Sequence, residues 1–207
     1  STYVPKDILL ESAIKLLDIS SELIEENLTT LAFSGEIELD SLDGVPVVYQ
    51  HFYFQAEQSV TYHIKRIMNG YMPPLAADPD NLINAAEAEE RIQLSGDQRK
   101  AIRAALTNKI TIITGGPGTG KTTIINLIVK IFKQMGISVA LAAPTGRAAK
   151  RITETSGVEA MTIHRLLEYV YSEDENEMEF GRNAENPLEE DSFIVDEASM
   201  IDLMLMD

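Results

Sequence analysis

One run constrains this chain more than any other. Gly115-Gly116-Pro117-Gly118-Thr119-Gly120-Lys121-Thr122 fits the pattern G-x-x-x-x-G-K-[ST]. It follows a short β-branched stretch, 110–114, and precedes residues 120–135, where Ile124, Leu127, Ile128, Ile131 and Met135 share one helical stripe. Strand, glycine-rich turn and helix are the context in which this motif binds phosphate. Glycines let successive backbone N–H groups wrap an anion without Cβ clashes. The following helix points its amino-terminal dipole at the same anion. Lys121 then reaches the β- and γ-phosphates, and the Thr122 hydroxyl ligates Mg²⁺. The bland alternative is a glycine-rich turn that binds nothing, and the flanks weigh against it.

Around this motif the pattern alternates. Residues 95–107, 120–135, 146–156 and 162–170 read as helices, and 110–114, 139–143 and 193–195 read as buried strands. Alternating helix and apolar strand predicts an α/β fold with a parallel sheet covered on both faces. Residues 171–191 hold nine acids and one base, which predicts a solvated loop or partly disordered insert.

Three further clusters bear on chemistry. Phe193-Ile194-Val195-Asp196-Glu197 is an apolar run ending in two acids, 75 residues after Lys121. An acid at the carboxyl end of such a strand faces the ligand crevice of an α/β sheet. Asp196 is therefore expected to hold Mg²⁺ through water, and Glu197 to orient and deprotonate an attacking water. Gln98 has two readings: its amide can pair with an adenine edge, and Ser95-x-x-Gln98 is a capping box. From the residues alone the cap is favoured. Ala143-Pro144-Thr145-Gly146-Arg147-Ala148-Ala149-Lys150-Arg151 collects a hydroxyl and cations at a strand end, which suits the phosphates of a nucleic acid strand. A solvated helix start explains it as well. Thr162-Ile163-His164-Arg165 is similar, and a lone His164 is more often structural.

The amino-terminal part differs. Helices at 5–19 and 20–34, a hairpin around Ser41-Leu42-Asp43-Gly44 and a third helix with Val60, Ile64, Ile67, Met68 and Tyr71 on one side suggest a winged-helix arrangement. The expected domains are 1–71, a linker and helix at 72–93 broken by Met72-Pro73-Pro74 and Asp78-Pro79, and 94–207. The second helix carries Glu22, Glu25 and Glu26 and no Lys or Arg, so it would repel phosphates. That predicts a scaffold or protein-docking surface. Tyr49, Phe52, Tyr53, Phe54 and Tyr62 are expected in the core.

Charge looks unfavourable to a polyanion until it is mapped. The 207 residues carry a net −16, but residues 94–170 hold 11 basic and 4 acidic side chains. A basic middle lies between two acidic ends. There is no cysteine, which excludes disulfides, thiolate metal sites and cysteine nucleophiles. No apolar run reaches membrane-spanning length. The chain opens Ser1-Thr2-Tyr3 without a signal-peptide pattern, so a piece of a longer, cytoplasmic protein is expected.

An ordered set of motifs resembles a known family. Leu94-Ser95-Gly96-Asp97-Gln98, Thr114 to Thr122, Ala142 to Ala149, Thr162-Ile163-His164-Arg165-Leu166-Leu167, Asn186-Pro187-Leu188 and Val195-Asp196-Glu197-Ala198-Ser199-Met200 occur in this order. Together they resemble the RecD-like helicases of superfamily 1, relatives of the exodeoxyribonuclease V alpha subunit, densely over 94–207. Residues 1–71 look like the domain preceding the motor in stand-alone members. The resemblance implies a RecA-like P-loop NTPase lobe and an ATP-driven 5′-to-3′ DNA helicase of recombination and repair. It implies ATP bound by Gln98, Gly116, Pro117, Gly118, Thr119, Gly120, Lys121, Thr122 and Thr123, with Mg²⁺ at Thr122 and Asp196 and catalysis by Lys121 and Glu197. It places Thr145, Arg147, Thr162 and His164 along single-stranded DNA at a duplex junction. It also implies a second motor lobe with a completing arginine beyond Asp207, and helix-hairpin-helix repeats before Ser1. The expected behaviour is a monomeric fragment that binds nucleotide weakly and turns over little, since such an arginine is worth roughly 10³–10⁵ in rate.

Two alternatives stay open. One is a different phosphate-loop ATPase, such as a conjugative relaxase-helicase, although His51, His63 and His164 are expected to fall on different elements rather than in a metal-binding cluster. The other is a nucleotide-gated module that docks a protein on its acidic amino-terminal part.

Overall fold

The structure, a computed structural model, describes residues 2–75, 77–172 and 177–207. The chain divides into two units: the first is Ser1–Asn69 together with Asp202–Asp207, the second Gly70–Ile201.

In the first unit β1 (Tyr3–Pro5), α1 (Lys6–Leu17), α2 (Ser21–Phe33), β2 (Ile37–Leu42), β3 (Val45–Gln50) and α3 (His51–Asn69) follow one another. Asp43 and Gly44 have φ of 50° and 81°, the pair of left-handed residues that a two-residue hairpin turn needs. The turn sets the antiparallel register, Ile37 opposite Gln50 and Leu42 opposite Val45. β1 completes the sheet on the other side of β3. Its three residues are too short for a period-2 signal, and the expected helix at 5–19 begins only after them. Ser20 caps α2 by accepting from the Leu23 N–H. Tyr49 is 2% exposed and meets Phe54 edge-on at 5.4 Å. Phe52 and Tyr62 are exposed, not core as expected; both lie on the part of α3 that faces solvent.

The second unit begins with α4 (Pro79–Glu90) and α5 (Gly96–Thr107). Asp78-Pro79, expected as linker, starts α4: Asp78 is its N-cap and Pro79 its first residue, where a missing N–H costs nothing. Arg99 on α5 pairs with Glu87 and donates to Asn84 at 2.7 Å, tying the two helices together. Ile83, Ile102 and Leu106 are fully buried between them and α6 (Lys121–Gln134). Lys130 on α6 pairs with Glu89 and Glu90 on α4, and those carboxylates hold its ammonium above the usual range.

β4 (Val139–Ala143), α7 (Gly146–Ser156), β5 (Ala160–Thr162), α8 (Ile163–Leu166), the hairpin β6 (Tyr169–Ser172) and β7 (Glu177–Phe180), and β8 (Ser192–Val195) follow. The main sheet is parallel in the order β5-β4-β8. α6 packs along β4, and α7 covers Leu141 and Ala143. The mixed α/β architecture with its parallel sheet is the one the motif pattern predicted.

Three expectations are corrected. Residues 110–114 have no ladder partner among the described residues and form no strand. Ile113 packs on the helical core while Ile112 is 85% exposed; without a sheet neighbour, β-branched composition alone does not make a strand. The helix expected at 162–170 is one turn, because Glu168 adopts a left-handed φ of 55° and the chain enters β6. The acidic stretch 171–191 contains part of the β6–β7 hairpin, while 173–176 lie outside the described residues. Arg182 clasps the hairpin base, pairing with Glu168 at 2.9 Å.

α9 (Leu203–Met206) closes the chain and packs against α3 in the first unit. Among the described residues no helix is long and apolar enough to cross a membrane.

Candidate phosphate-binding site

Gly118 and Gly120 carry φ of 75° and 87°, values that cost an L-residue about 1–2 kcal/mol. Gly120 is the N-cap of α6, so the loop ends in the helix's unpaired N–H groups. Thr119 steadies the turn by donating its hydroxyl to the Gly116 carbonyl at 2.9 Å. A Cβ on Gly115 would stand 2.7 Å from that hydroxyl, which explains glycine there without invoking φ. Lys121 folds back over the loop, and its ammonium donates to the carbonyls of Gly115 and, at 2.9 Å, Gly116. Residues 115–119 are exposed.

The capping reading of Gln98 is seen in the structure. Its backbone N–H donates to the Ser95 hydroxyl at 3.3 Å, and its Oε1 accepts from the Ser95 N–H at 2.9 Å, a complete capping box. Its Nε2 also donates to the Thr119 carbonyl at 3.1 Å, reaching from α5 into the phosphate loop. Sequence reasoning foresaw the cap but not this second bond; Ser95 and Gln98 lie three residues apart, Gln98 and Thr119 twenty-one.

The sheet sets the rest of the geometry. α6 feeds β4 through a short turn at 135–138 and packs along it, so the amino end of α6 lies at the carboxyl side of the sheet. Ligands of open α/β sheets bind at that side. Asp196 continues the ladder by donating its N–H to the Ala142 carbonyl at 3.0 Å. Ile194 packs on the α6 cluster, and residues two apart share a face, so Asp196 leaves β8 on the α6 side. Glu197 is exposed and has a left-handed φ of 54°, a conformation uncommon for a non-glycine residue. Asp191 fixes the other end of β8, accepting from the Ser138 N–H and hydroxyl. Those bonds, the hydroxyl's first, hold its carboxyl below the usual range.

Mg²⁺ takes one or two protein oxygens and fills its octahedron with phosphates and water. Thr122 in the first turn of α6 and Asp196 are a donor set of that kind. No group of three or more His, Cys, Asp or Glu capable of holding a metal unaided occurs among the described residues.

The candidate DNA residues leave neighbouring strands. Thr145 follows β4 and caps α7, accepting from the Ala148 N–H at 3.3 Å. Thr162 ends β5 opposite Ala143 and caps α8, accepting from the Arg165 N–H at 3.2 Å. Each hydroxyl keeps its own hydrogen for an outside acceptor. Arg147 is exposed. His164 is exposed and stands edge-on to Tyr169 at 5.4 Å, with Phe180 6.3 Å away. That ring cluster is a structural partner that the sequence did not reveal.

Comparison with known proteins adds the family. The AAA domain family matches residues 98–207. The ATP-dependent RecD2 DNA helicase of Deinococcus radiodurans is 33% identical over 159 residues, covering 77% of this chain and 21% of the relative. The RecBCD enzyme subunit RecD of Mycolicibacterium smegmatis is 31% identical over 77% of this chain and 31% of its own length. The RecD subunit of Haemophilus influenzae is 30% identical over 78% of this chain and 29% of its own length. The matches thus span about a fifth to a third of these relatives.

Proposed function

The chain belongs to the AAA domain family and is RecD-like in sequence, and on that premise we propose that it is the nucleotide-binding lobe of an ATP-driven helicase moving 5′ to 3′ on single-stranded DNA. The observation that carries this is the shared placement of a phosphate loop, a strand-end acid and a basic helix at one edge of one parallel sheet. A different phosphate-loop ATPase would need the first two features but not the third.

In this reading ATP with Mg²⁺ supplies a phosphoryl group whose transfer to water releases the free energy for movement. The chain's residues position and stabilise. Gly116 and Gly118 to Thr123 present backbone N–H groups at the α6 amino end. The Lys121 ammonium exchanges its two loop carbonyls for phosphate oxygens, a stronger, charge-assisted partner. Thr122 and Asp196 hold the ion, Glu197 takes the proton of the attacking water, and Gln98 reads adenine. Thr145, Arg147, Thr162 and His164 line the strand, with the first and third donating hydroxyl hydrogens to phosphates.

The first unit serves as a winged-helix-like scaffold with an acidic protein-docking face. Glu22, Glu25 and Glu26 of α2 are exposed and no basic residue shares that helix. The whole protein works in the cytoplasm in DNA recombination and repair. The chain alone is a monomer with little turnover.

The test is ATP hydrolysis by the full-length protein with single-stranded DNA titrated in and Lys121→Ala as control. Strong stimulation that disappears in the variant is the expected result. Hydrolysis indifferent to DNA discards the helicase reading and favours an ATPase acting on a protein.

A further inference from the structure

Resting on the ATP reading above, we propose that Gln98 is a positioning residue for the phosphate loop: its amide N–H holds the Thr119–Gly120 peptide in the anion-binding orientation whether or not a base is present. The amide is oriented unambiguously. Oε1 must be the atom that accepts from the Ser95 N–H, which leaves Nε2 to donate to the Thr119 carbonyl. No cis peptide bond occurs among the described residues, and in a trans peptide the C=O and the next N–H point in opposite directions. With the Thr119 carbonyl drawn toward Gln98, the Gly120 N–H is turned away from it. It joins the free N–H groups of Lys121 and Thr122 at the amino end of α6.

The space around the bond is matched to it. A Cβ on Gly120 would collide with Gln98 Nε2, so glycine at this position serves the tether as well as the left-handed φ. The anchor is rooted in the core, while the loop is at the surface. Gln98 lies one turn from Ile102, which is fully buried, and next to Arg99, which is paired to α4. Residues 115–119 are exposed; Lys121 of α6 holds the Gly115–Gly116 end of the loop, and Gln98 ties its Thr119 end to α5. Base reading is not displaced by this role. Oε1 keeps a second lone pair and Nε2 a second hydrogen, enough for an adenine edge.

The two roles separate on a ligand without a base. Binding of Mg²⁺-tripolyphosphate and of Mg²⁺-ATP to the 207-residue chain is measured by calorimetry for wild type, Gln98→Met and Ser95→Ala. Methionine keeps length and neutrality and removes the donor. Ser95→Ala weakens the same cap without touching the tether. The expected result is a loss of about five- to tenfold for both ligands in Gln98→Met, the worth of one hydrogen bond, with Ser95→Ala binding both as wild type. Loss confined to ATP overturns the proposal, since a pure base reader behaves so. So does equal loss in Ser95→Ala, which would trace the effect to helix fraying, and so does unchanged binding in Gln98→Met. Should Gln98→Met not fold, Gln98→Asn, which keeps the amide but is one methylene short of Thr119, carries the same expectation. Wild-type chain that binds neither ligand overturns the nucleotide reading itself, and the tether role with it; wild-type binding of both separates the two questions.

Discussion

Asp191 Oδ2 accepts two hydrogen bonds from Ser138, from its N–H at 2.9 Å and its hydroxyl at 2.6 Å, across 53 residues of chain. The Asp191 N–H donates back to the same hydroxyl at 2.9 Å, and the Ser192 N–H to the Ser138 carbonyl at 3.0 Å. This clasp aligns the starts of β4 and β8, and so fixes where Asp196 emerges four residues later.

The clasp should register in acid. The carboxyl's folded pKa is depressed by the Ser138 bonds, so its contribution is present above the unfolded Asp value and is lost as pH falls through the folded one. Wild type should melt higher than Asp191→Ala at neutral pH, and the gap should close below about pH 4. Thermal melts from pH 2 to 7 check this; a gap that persists undiminished in strong acid would rule the carboxylate out as its source.

The phosphate-loop glycines should differ in cost. Nothing lies within 4 Å of a Cβ on Gly118, so Gly118→Ala carries only the left-handed φ penalty, about 1–2 kcal/mol. Gly120→Ala carries the same φ penalty and also pushes the Gln98 amide off the Thr119 carbonyl, so it should destabilise more by the loss of that bond. Urea midpoints of the two variants without nucleotide give the comparison, and equal midpoints would contradict it.

Capping and strand contact can be separated at Thr145. Aspartate caps helices as well as threonine does, but its charge opposes phosphate. Thr145→Asp should leave the melting temperature within a few degrees and weaken single-stranded DNA binding, more at low salt than at high. Fluorescence anisotropy at two ionic strengths measures this. Undiminished affinity would remove Thr145 from the DNA path.

Leu106→Ala should test the helical core. The side chain is fully buried between α4, α5 and α6, and such truncations cost about 2–5 kcal/mol. Denaturant unfolding should show that loss while the first unit's near-ultraviolet signal from Tyr49 is retained.

The readable features were those encoded locally. The stripe of Ile124, Leu127, Ile128 and Ile131 and the glycine run before it define α6 and its loop without help from elsewhere. The Asp43-Gly44 turn needs only its two backbones. What escaped was set by distant partners. Residues 110–114 have strand composition but, among the described residues, no strand beside them. β1 exists because β3 offers an edge. The Gln98–Thr119 bond joins two elements that each look complete alone. The one-turn α8 stops short of Glu168, which turns the chain into β6 where Gly181 and Arg182 come back to its carbonyl and carboxylate.

The packing of α9 on α3 has a consequence for biosynthesis. The first unit joins Ser1–Asn69 to Asp202–Asp207, which flank the whole second unit in sequence. All of the second unit leaves the ribosome between those two stretches. A nascent chain therefore folds its β-hairpin early, buries Ile83, Ile102 and Leu106 next, and completes the surface of α3 only afterwards. Within this stretch, the unit whose synthesis starts earlier is the one completed later.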